Sequence, residues 1–266
     1  MISKVMLVVD NLDYLNDYRK VGITTFLFPL KEFSVGYDDY SLEEINEIGV
    51  SNKYLLINRV LDCKDIDKLK NLLSELKGIK GLVFEDIGVY QFVKQLGLDL
   101  ELILFQNHFN CNTESINFWL ERVNSVVVSN ELTFEELKNI TTRAKSPLVL
   151  HLYGYNQVMY SRRKLITNYC EEFKLVNRNR RIIEDVSSHV RFRVFENDYG
   201  TVMYSDKVFN GKRLLGLNNI KYFFVNTTLI DHYRLMKFLN NLNGSYGDFE
   251  DDGFLDKETI YKLKER

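Results

Sequence analysis

A chain of 266 residues is long enough for one large domain or two ordinary ones, each with a hydrophobic core. Its net charge of −2 excludes a molecule-wide field that would attract nucleic acid or a membrane, so such contacts need a local patch. Three widely separated cysteines argue against a disulfide scaffold and a self-contained zinc or iron–sulfur site. We predict neither a signal peptide nor a bilayer-spanning run, and we expect a cytoplasmic protein.

Short, almost continuously apolar segments alternate with amphipathic ones through the first 153 residues. Apolar runs of this kind are typical of strands buried on both faces of a parallel sheet. The predicted strands are 4–9, 23–28, 53–58, 81–85, 100–105, 125–129 and 148–153. The segments between them repeat apolar residues at helical spacing, and several begin with Ser, Asp or Thr in a capping position. The predicted helices are 41–48, 65–76, 87–97, 113–123 and 133–141.

An eighth strand is predicted at 220–226, and a helix over 227–242 follows it. Eight β–α units indicate an α/β protein with a (β/α)8 TIM-barrel-like fold, either fully closed or with a break in its closure. An open doubly wound sheet is the alternative, although no G-x-G-x-x-G motif follows any predicted strand. We expect a single barrel domain over 1–266.

Residues 175–215 interrupt the alternation of strands and helices. Three short β-type segments surround N-D-Y-G at 197–200, a hairpin turn signal, and predict a small antiparallel β insertion before the last barrel strand. The tail from residue 245 is acidic and then basic, and it predicts a loop and a short helix packed on the barrel.

Polar residues follow nearly every predicted strand. Because the reactive groups of such barrels lie at the carboxyl ends of the strands, this pattern indicates a pocket for a small polar or anionic ligand. Strand ends are also polar in proteins that bind nothing there, and this alternative stays open. The residues that we expect to line the mouth are Asn58, Glu85, Asp86, Asn107 and Tyr153. Alternation along the strand places Tyr153 on the same face as His151.

Charged residues near the mouth have two interpretations each. Asp86 and Glu131 could form an acid–base pair, but each directly precedes a predicted helix and could equally cap it. The basic run 162–164, with tyrosines around it, could contact phosphate or stack on an RNA base, although such runs are usually solvated. The histidines show no metal-ligand spacing, and no metal site is predicted.

Five segments, in this order along most of the chain, resemble the linked motifs of peptidase family U32, the collagenase-like peptidases. They are GLVFEDIG (81–88), FNCNTESINFW (109–119), SVVVSNELTFEEL (125–137), HLYGYNQVMYSRRKLITNY (151–169) and RFRVFENDYGTVMYSD (191–206). The fourth resembles the family signature most specifically. It retains the signature residues Gly154, Tyr160, Ser161, Arg163, Asn168 and Tyr169.

The resemblance implies a barrel protein, and relatives that carry a cysteine-ligated iron–sulfur cluster and support hydroxylation of RNA bases or of a quinone precursor. Gln157 and Lys164 stand where the signature has cysteines, and the cysteine-rich segment expected next is missing. Because such a cluster normally needs about four thiolates, we expect a short family member with neither this cluster nor another cofactor.

Three functional hypotheses follow from the resemblance, and the third, a genuine peptidase, rests on the family label alone. In the first, the chain is a U32-like barrel that binds a small polar or anionic ligand, or an RNA segment, at the strand ends. If it is an enzyme, Glu131 is the candidate base and Arg163 the candidate anion clamp. In the second, it is a non-catalytic partner or scaffold subunit for a cluster-bearing relative. Peptidase activity has no support from a Ser-His-Asp, Cys-His or zinc-ligand arrangement.

Overall fold

The computed structural model describes residues 1–257 and has a closed parallel barrel at its centre. Its strands are β1 (Val5–Val8), β2 (Thr25–Pro29), β3 (Asn52–Ile57), β4 (Gly81–Phe84), β5 (Glu101–Phe105), β6 (Ser125–Val127), β7 (Leu148–Ser161), β8 (Arg180–Glu184), β9 (Arg191–Asn197), β10 (Gly200–Asn210), β11 (Ile220–Val225) and β12 (Glu250–Asp251). Strands β1 to β7 follow one another around the barrel, and β11 pairs in parallel with both β7 and β1. The predicted (β/α)8 fold is confirmed, and the barrel closes.

Helices follow the barrel strands as predicted. They are α1 (Leu15–Lys20), α2 (Leu42–Glu47), α3 (Cys63–Ser74), α4 (Ile87–Gln95), α5 (Thr113–Leu120), α6 (Phe134–Arg143), α7 (Leu165–Glu172) and α8 (His232–Asn240). Ser41, Asp62 and Thr133 form capping boxes at the starts of α2, α3 and α6, which satisfy backbone N–H groups that the first helical turn leaves free. The short α1 was not predicted. Helix α8 begins five residues later than predicted, because Asp231 caps it.

Side chains from the strands fill the barrel interior. The buried interior residues of the strands are Met6, Val8, Leu27, Tyr54, Leu56, Val83, Ile103, Phe105, Val127, Val149, Tyr222 and Phe224. At the amino ends of the strands, the Tyr54 hydroxyl donates to Glu101 at 2.7 Å and lies 3.1 Å from the Tyr222 hydroxyl. The packed interior leaves the carboxyl ends as the place where a ligand can enter.

Strand β7 is much longer than predicted. It runs past Tyr153 to Ser161, and its second half leaves the barrel to pair with β10 in antiparallel fashion. Residues 154–161 of the signature stretch are therefore extended strand, and the stretch ends within α7. Gly154 makes this exit possible: its φ is +135°, and an added Cβ would lie 2.4 Å from the carbonyl oxygen of Asn226.

Residues 154–161, α7 and the strands β8 to β10 form what we call the arm. The order of strands in the arm is β7, β10, β9, β8, and β9 and β10 are joined by the predicted two-residue turn between Asn197 and Gly200. The tail adds β12, which pairs with β10. The part of the predicted tail helix from residue 258 onward lies outside the described residues.

The loop 30–41 between β2 and α2 covers the centre of the barrel mouth. The side chain of Tyr37 packs among the interior residues. The Asn58 amide bonds both the N–H and the carbonyl of Val35, at 3.0 Å each, and the Tyr204 hydroxyl donates to the carbonyl of Gly36. The loop is thus fixed to β3 and to the arm. No helix within residues 1–257 is long and apolar enough to cross a bilayer.

Candidate functional site

A cavity of about 320 Å³ lies between the carboxyl ends of β3, β4 and β5 and the part of β7 that leaves the barrel. We call it the strand-end cavity. Its volume is that of a pocket for a small molecule or a single residue of a polymer. Its lining residues are Arg59, Val60, Glu85, Asp86, Gln106, Asn107, His108, Phe109, Gln157 and Tyr160.

Glu85 is the most perturbed group of the cavity. Its Oε1 atom is enclosed by protein and has no hydrogen-bond partner among the described residues. Desolvation raises the pKa of this carboxyl to about 8, so it is mostly protonated at neutral pH and can donate a hydrogen bond. The Oε1 atom of Gln157 and the hydroxyl of Tyr160 are also enclosed and have no hydrogen-bond partner within residues 1–257. Buried polar atoms rarely lack a hydrogen-bond partner, because each unpartnered atom costs about 1–3 kcal/mol of stability. Unpartnered atoms that line a cavity therefore indicate a place where a ligand or water can bind.

Arg59 brings a positive charge to the cavity wall, but this charge is already paired. Its guanidinium donates to the carboxylate of Asp65 and to the carbonyl of Glu32. It also lies over the ring of Tyr199, with 4.7 Å between the guanidinium carbon and the ring centre. Because the Asp65 carboxylate already neutralises its charge, we assign Arg59 a structural role in the cavity wall and not the binding of an anion.

His108 and Glu131 form the acid–base pair nearest to the cavity. The Nδ1 atom of His108 lies 2.9 Å from Oε1 of Glu131, and both side chains are partly exposed. His108 lines the cavity, whereas Glu131 is not among its lining residues. The geometry allows His108 to contact a ligand directly while Glu131 orients the imidazole.

The structure brings three of the predicted site residues together. Glu85, Asp86 and Asn107 all line the strand-end cavity. Asp86 also caps α4, where its Oδ1 accepts the N–H of Gly88 at 2.8 Å. Asp86 therefore both caps the helix and lines the cavity. Glu131 reaches the cavity only through His108.

Asn58, Tyr153 and Arg163 lie apart from the cavity. Both ends of the Asn58 amide hold the loop 30–41. Arg163 is exposed between β7 and α7, and its carbonyl accepts from Thr201. Tyr153 is fully buried against α8. Its ring stacks on the ring of Phe238, with 3.8 Å between the ring centres. The prediction that Tyr153 shares a face with His151 is wrong, because the pairing of β7 with β11 shifts register at this point.

His151 faces the centre of the barrel, in a cavity of only about 20 Å³ that has room for roughly one water molecule. Burial lowers its pKa to about 4, so the imidazole is neutral. Its Nδ1 lies 3.3 Å from the amide nitrogen of Asn130, and its Nε2 lies 3.2 Å from the carbonyl of Tyr153. These contacts indicate that Nε2 carries the proton. His151 is thus a hydrogen-bonded core histidine.

The donor set does not fit the cysteine-ligated cluster that the resemblance implies. Gln157 presents an amide at one matched position, and Lys164 at the other donates to Asp198 at 2.6 Å. Cys63, Cys111 and Cys170 lie at the starts of α3 and α5 and within α7, respectively. Within residues 1–257, no three His, Cys, Asp or Glu side chains are grouped so as to hold a metal ion. The described chain therefore lacks the set of thiolates that such a cluster needs.

Five further polar residues line the cavity and are not among the site residues predicted from the sequence: Arg59, Gln106, His108, Gln157 and Tyr160. Gln157 and Tyr160 belong to the signature, which was the available signal. Gln157 and Tyr160 reach the cavity because residues 154–161 form a strand that passes over the ends of β4 and β5.

Together, the fold and the cavity define a TIM-barrel protein with a strand-end site bounded by an added antiparallel arm. Comparison with protein families narrows this class: the model of peptidase family U32 matches residues 40–221. The chain belongs to peptidase family U32.

Individual relatives are more distant. A Bacillus subtilis (strain 168) protein named tRNA hydroxylation protein P2 is 22% identical over 203 residues, which is 70% of this chain and 66% of that protein. The chain thus spans just under two thirds of the length of this relative.

Solved structures are similar only at a low level. The U32 peptidase Mk0906 has 13% identity and a TM-score of 0.46, over 58% of this chain and 70% of that one. A chitinase from Chromobacterium violaceum ATCC 12472 has 9% identity and a TM-score of 0.43, over 91% of this chain and 100% of that one. Similarities at this level carry no functional implication.

Proposed function

We propose that the chain binds a small polar ligand in the strand-end cavity and that it does not cleave peptides there. The observation that carries this proposal is the set of three enclosed oxygens of Glu85, Gln157 and Tyr160 in the walls of one cavity, none of which has a hydrogen-bond partner among the described residues. A ligand that rearranges these side chains can supply the hydrogen bonds that they lack. No nucleophile activated by an adjacent base lines the described cavity, which argues against peptide hydrolysis.

An RNA nucleotide is the ligand that we favour. The name of the Bacillus subtilis relative refers to tRNA. Glu85, Gln157 and Asn107 offer the mixture of donors and acceptors that a base edge requires. Arg162, at the end of β7, bonds Asp62 at the start of α3 and is about half exposed, so it could contact a phosphate outside the cavity.

If the site is catalytic, His108 is the residue that transfers a proton and Glu131 is a positioning residue. This proposal revises the prediction that Glu131 is itself the base, because the histidine stands between Glu131 and the cavity. Arg163 has no role in the proposed site. We further expect the protein to work in the cytoplasm.

Binding of fluorescein-labelled total tRNA, followed by fluorescence anisotropy, tests the proposal. Gln157→Ala should weaken binding by about tenfold, since it removes a cavity amide worth roughly one hydrogen bond. Gln91→Ala is the matched control, because Gln91 is exposed on α4 outside the cavity. Equal affinities of the wild type and Gln157→Ala, or no binding of tRNA by the wild type, would overturn the proposal.

A partner subunit for a cluster-bearing relative is the second candidate function. Gln157 and Lys164 favour it, because a chain without these thiolates would need a relative to supply the cluster. Co-expression of the tagged chain with a cluster-bearing U32 protein tests it. Recovery of a complex of the two chains in equal amounts supports this candidate, and recovery of the tagged chain alone rejects it.

A further inference from the structure

The arm ends in a strand whose outer edge has no partner. Strand β8 is last in the strand order and pairs only with β9 among the described strands. The N–H of Asp185 bonds the carbonyl of Val190, and the N–H of Glu196 bonds the carbonyl of Asn179. Because antiparallel strands alternate the direction of their hydrogen bonds, odd-numbered residues of β8 bond β9. The N–H and C=O groups of Arg180, Ile182 and Glu184 therefore point away from the arm.

Apolar side chains are exposed beside this edge. Ile182 is 57% exposed and Ile183 is 40% exposed, although isoleucine is among the residues most often buried in proteins. Phe173 and Val176, which follow α7, are 59% and 74% exposed. The Arg181 guanidinium donates to the Val176 carbonyl and joins this segment to β8. A free edge next to exposed apolar residues is a surface that pairs with another chain.

We propose that a second copy of this chain pairs with the first through β8, antiparallel, with Ile182 opposite Ile182 of the second copy. The strand reads Arg180-Arg181-Ile182-Ile183-Glu184 and is self-complementary about its centre. In this register Arg180 lies opposite Glu184 of the second copy, and twofold symmetry repeats this contact at the other end. The three residues with outward backbone groups are also the three that would form backbone hydrogen bonds with the second copy in this register.

Charge complementarity is the reason that the partner is a second copy and not an unrelated strand. A twofold axis at Ile182 pairs opposite charges at both ends without any change of sequence. The Arg180 guanidinium already donates to both carboxylate oxygens of Asp38, in the loop 30–41 of the same chain, at 2.6 Å each. A guanidinium has five N–H donors, so it can hold both carboxylates, and the bond to Asp38 keeps it in place at the edge.

Light scattering coupled to size-exclusion chromatography tests the dimer over a range of protein concentrations. The wild type should have the mass of two chains, and Ile182→Pro the mass of one. Proline at this position removes an outward N–H but no hydrogen bond to β9, so the arm itself is retained. A wild type that is monomeric at every concentration, or an Ile182→Pro variant that dimerises as well as the wild type, would overturn the proposal.

A charge exchange gives a second test that does not alter the backbone. Glu184→Arg places like charges opposite each other twice and should raise the dimer dissociation constant by about tenfold or more. The double variant Arg180→Glu/Glu184→Arg restores opposite charges and should recover dimerisation. A double variant that dissociates as readily as Glu184→Arg contradicts the proposed register.

Discussion

Glu85 is the cavity residue whose protonation differs most between the folded and the unfolded chain. Its ordinary pKa is 4.5, and desolvation raises it to about 8. Since the folded state holds the proton more tightly, this group contributes full stability below about pH 4.5 and loses it as the pH rises through about 8. The ionised form would be an unpaired charge in an enclosed place.

Replacing Glu85 with Gln should remove this pH dependence. We expect Glu85→Gln to gain about 1–3 kcal/mol in free energy of unfolding relative to the wild type between about pH 5 and pH 8, because the amide never ionises. Urea denaturation across this range measures the difference. Glu47→Gln, at an exposed position on α2, is the control. Parallel pH profiles for the wild type and Glu85→Gln would contradict the prediction.

At the scale of single residues, order along the chain was enough to predict three of the residues that line the strand-end cavity. Glu85, Asp86 and Asn107 each follow a short parallel strand, and the ends of such strands meet at one edge. Asn58 also follows a strand, yet its amide is used by Val35, which belongs to a loop more than twenty residues earlier. Contacts of this kind depend on tertiary structure, so the sequence could not separate Asn58 from the lining residues.

Among the elements, α7 shows how a motif of the family can be structural. Lys164, at its N-cap, makes no capping hydrogen bond with its side chain. The carboxylate of Glu196, on β9, instead accepts the N–H groups of Ile166 at 2.7 Å and of Thr167 at 3.1 Å, and the hydroxyl of Thr201 at 2.7 Å. A negative charge at this end also interacts favourably with the helix dipole. Glu196 thus joins α7 to the sheet of the arm.

Replacing Glu196 with Ala should destabilise the arm. Loss of the cap and of buried hydrogen bonds should lower the free energy of unfolding by about 2–3 kcal/mol. Hydrogen exchange of the amides of Ile166 and Thr167 should become faster. Glu171→Ala, at an exposed position within α7, is the control. Unchanged exchange at these two amides would contradict the assignment of Glu196 as the cap.

The elements were largely predictable, and the main error has a local cause. Apolar runs located the barrel strands other than β7 to within a few residues, and capping residues located the starts of several helices, because both signals are local. The apolar run that predicts β7 ends at residue 153, whereas the strand continues to Ser161. Its continuation depends on pairing with β10, about forty residues later, which no local pattern reveals.

At the scale of the whole molecule, the barrel depends on the seam at which β11 meets β7. The N–H of Asn226 bonds the carbonyl of Tyr153 at 2.8 Å, directly beside Gly154. At this point β7 turns from the barrel into the arm. The conformation of Gly154 thus allows both the closure of the barrel by β11 and the departure of β7 into the arm. Closure could not be read from the sequence, because eight β–α units are compatible with a closed or an interrupted ring.

Replacing Gly154 with Ala should therefore weaken the entire fold. The added Cβ would meet the Asn226 backbone at a φ that L-residues rarely adopt. We expect the free energy of unfolding to fall by about 3 kcal/mol or more. Gly49→Ala is the control, because nothing lies within 4 Å of its added Cβ. Thermal unfolding measures both variants, and equal melting temperatures would contradict the role of Gly154.

The continuous 14-residue β7 also limits how the protein can be shortened in the laboratory. Deleting 175–215 to obtain a minimal barrel would remove β8, β9 and β10, but residues 154–161 would stay attached to a barrel strand. Their backbone groups, now bonded to β10, would become a new sheet edge, and such edges promote aggregation. A soluble minimal version would need polar or proline substitutions along 155–161, or a shorter β7.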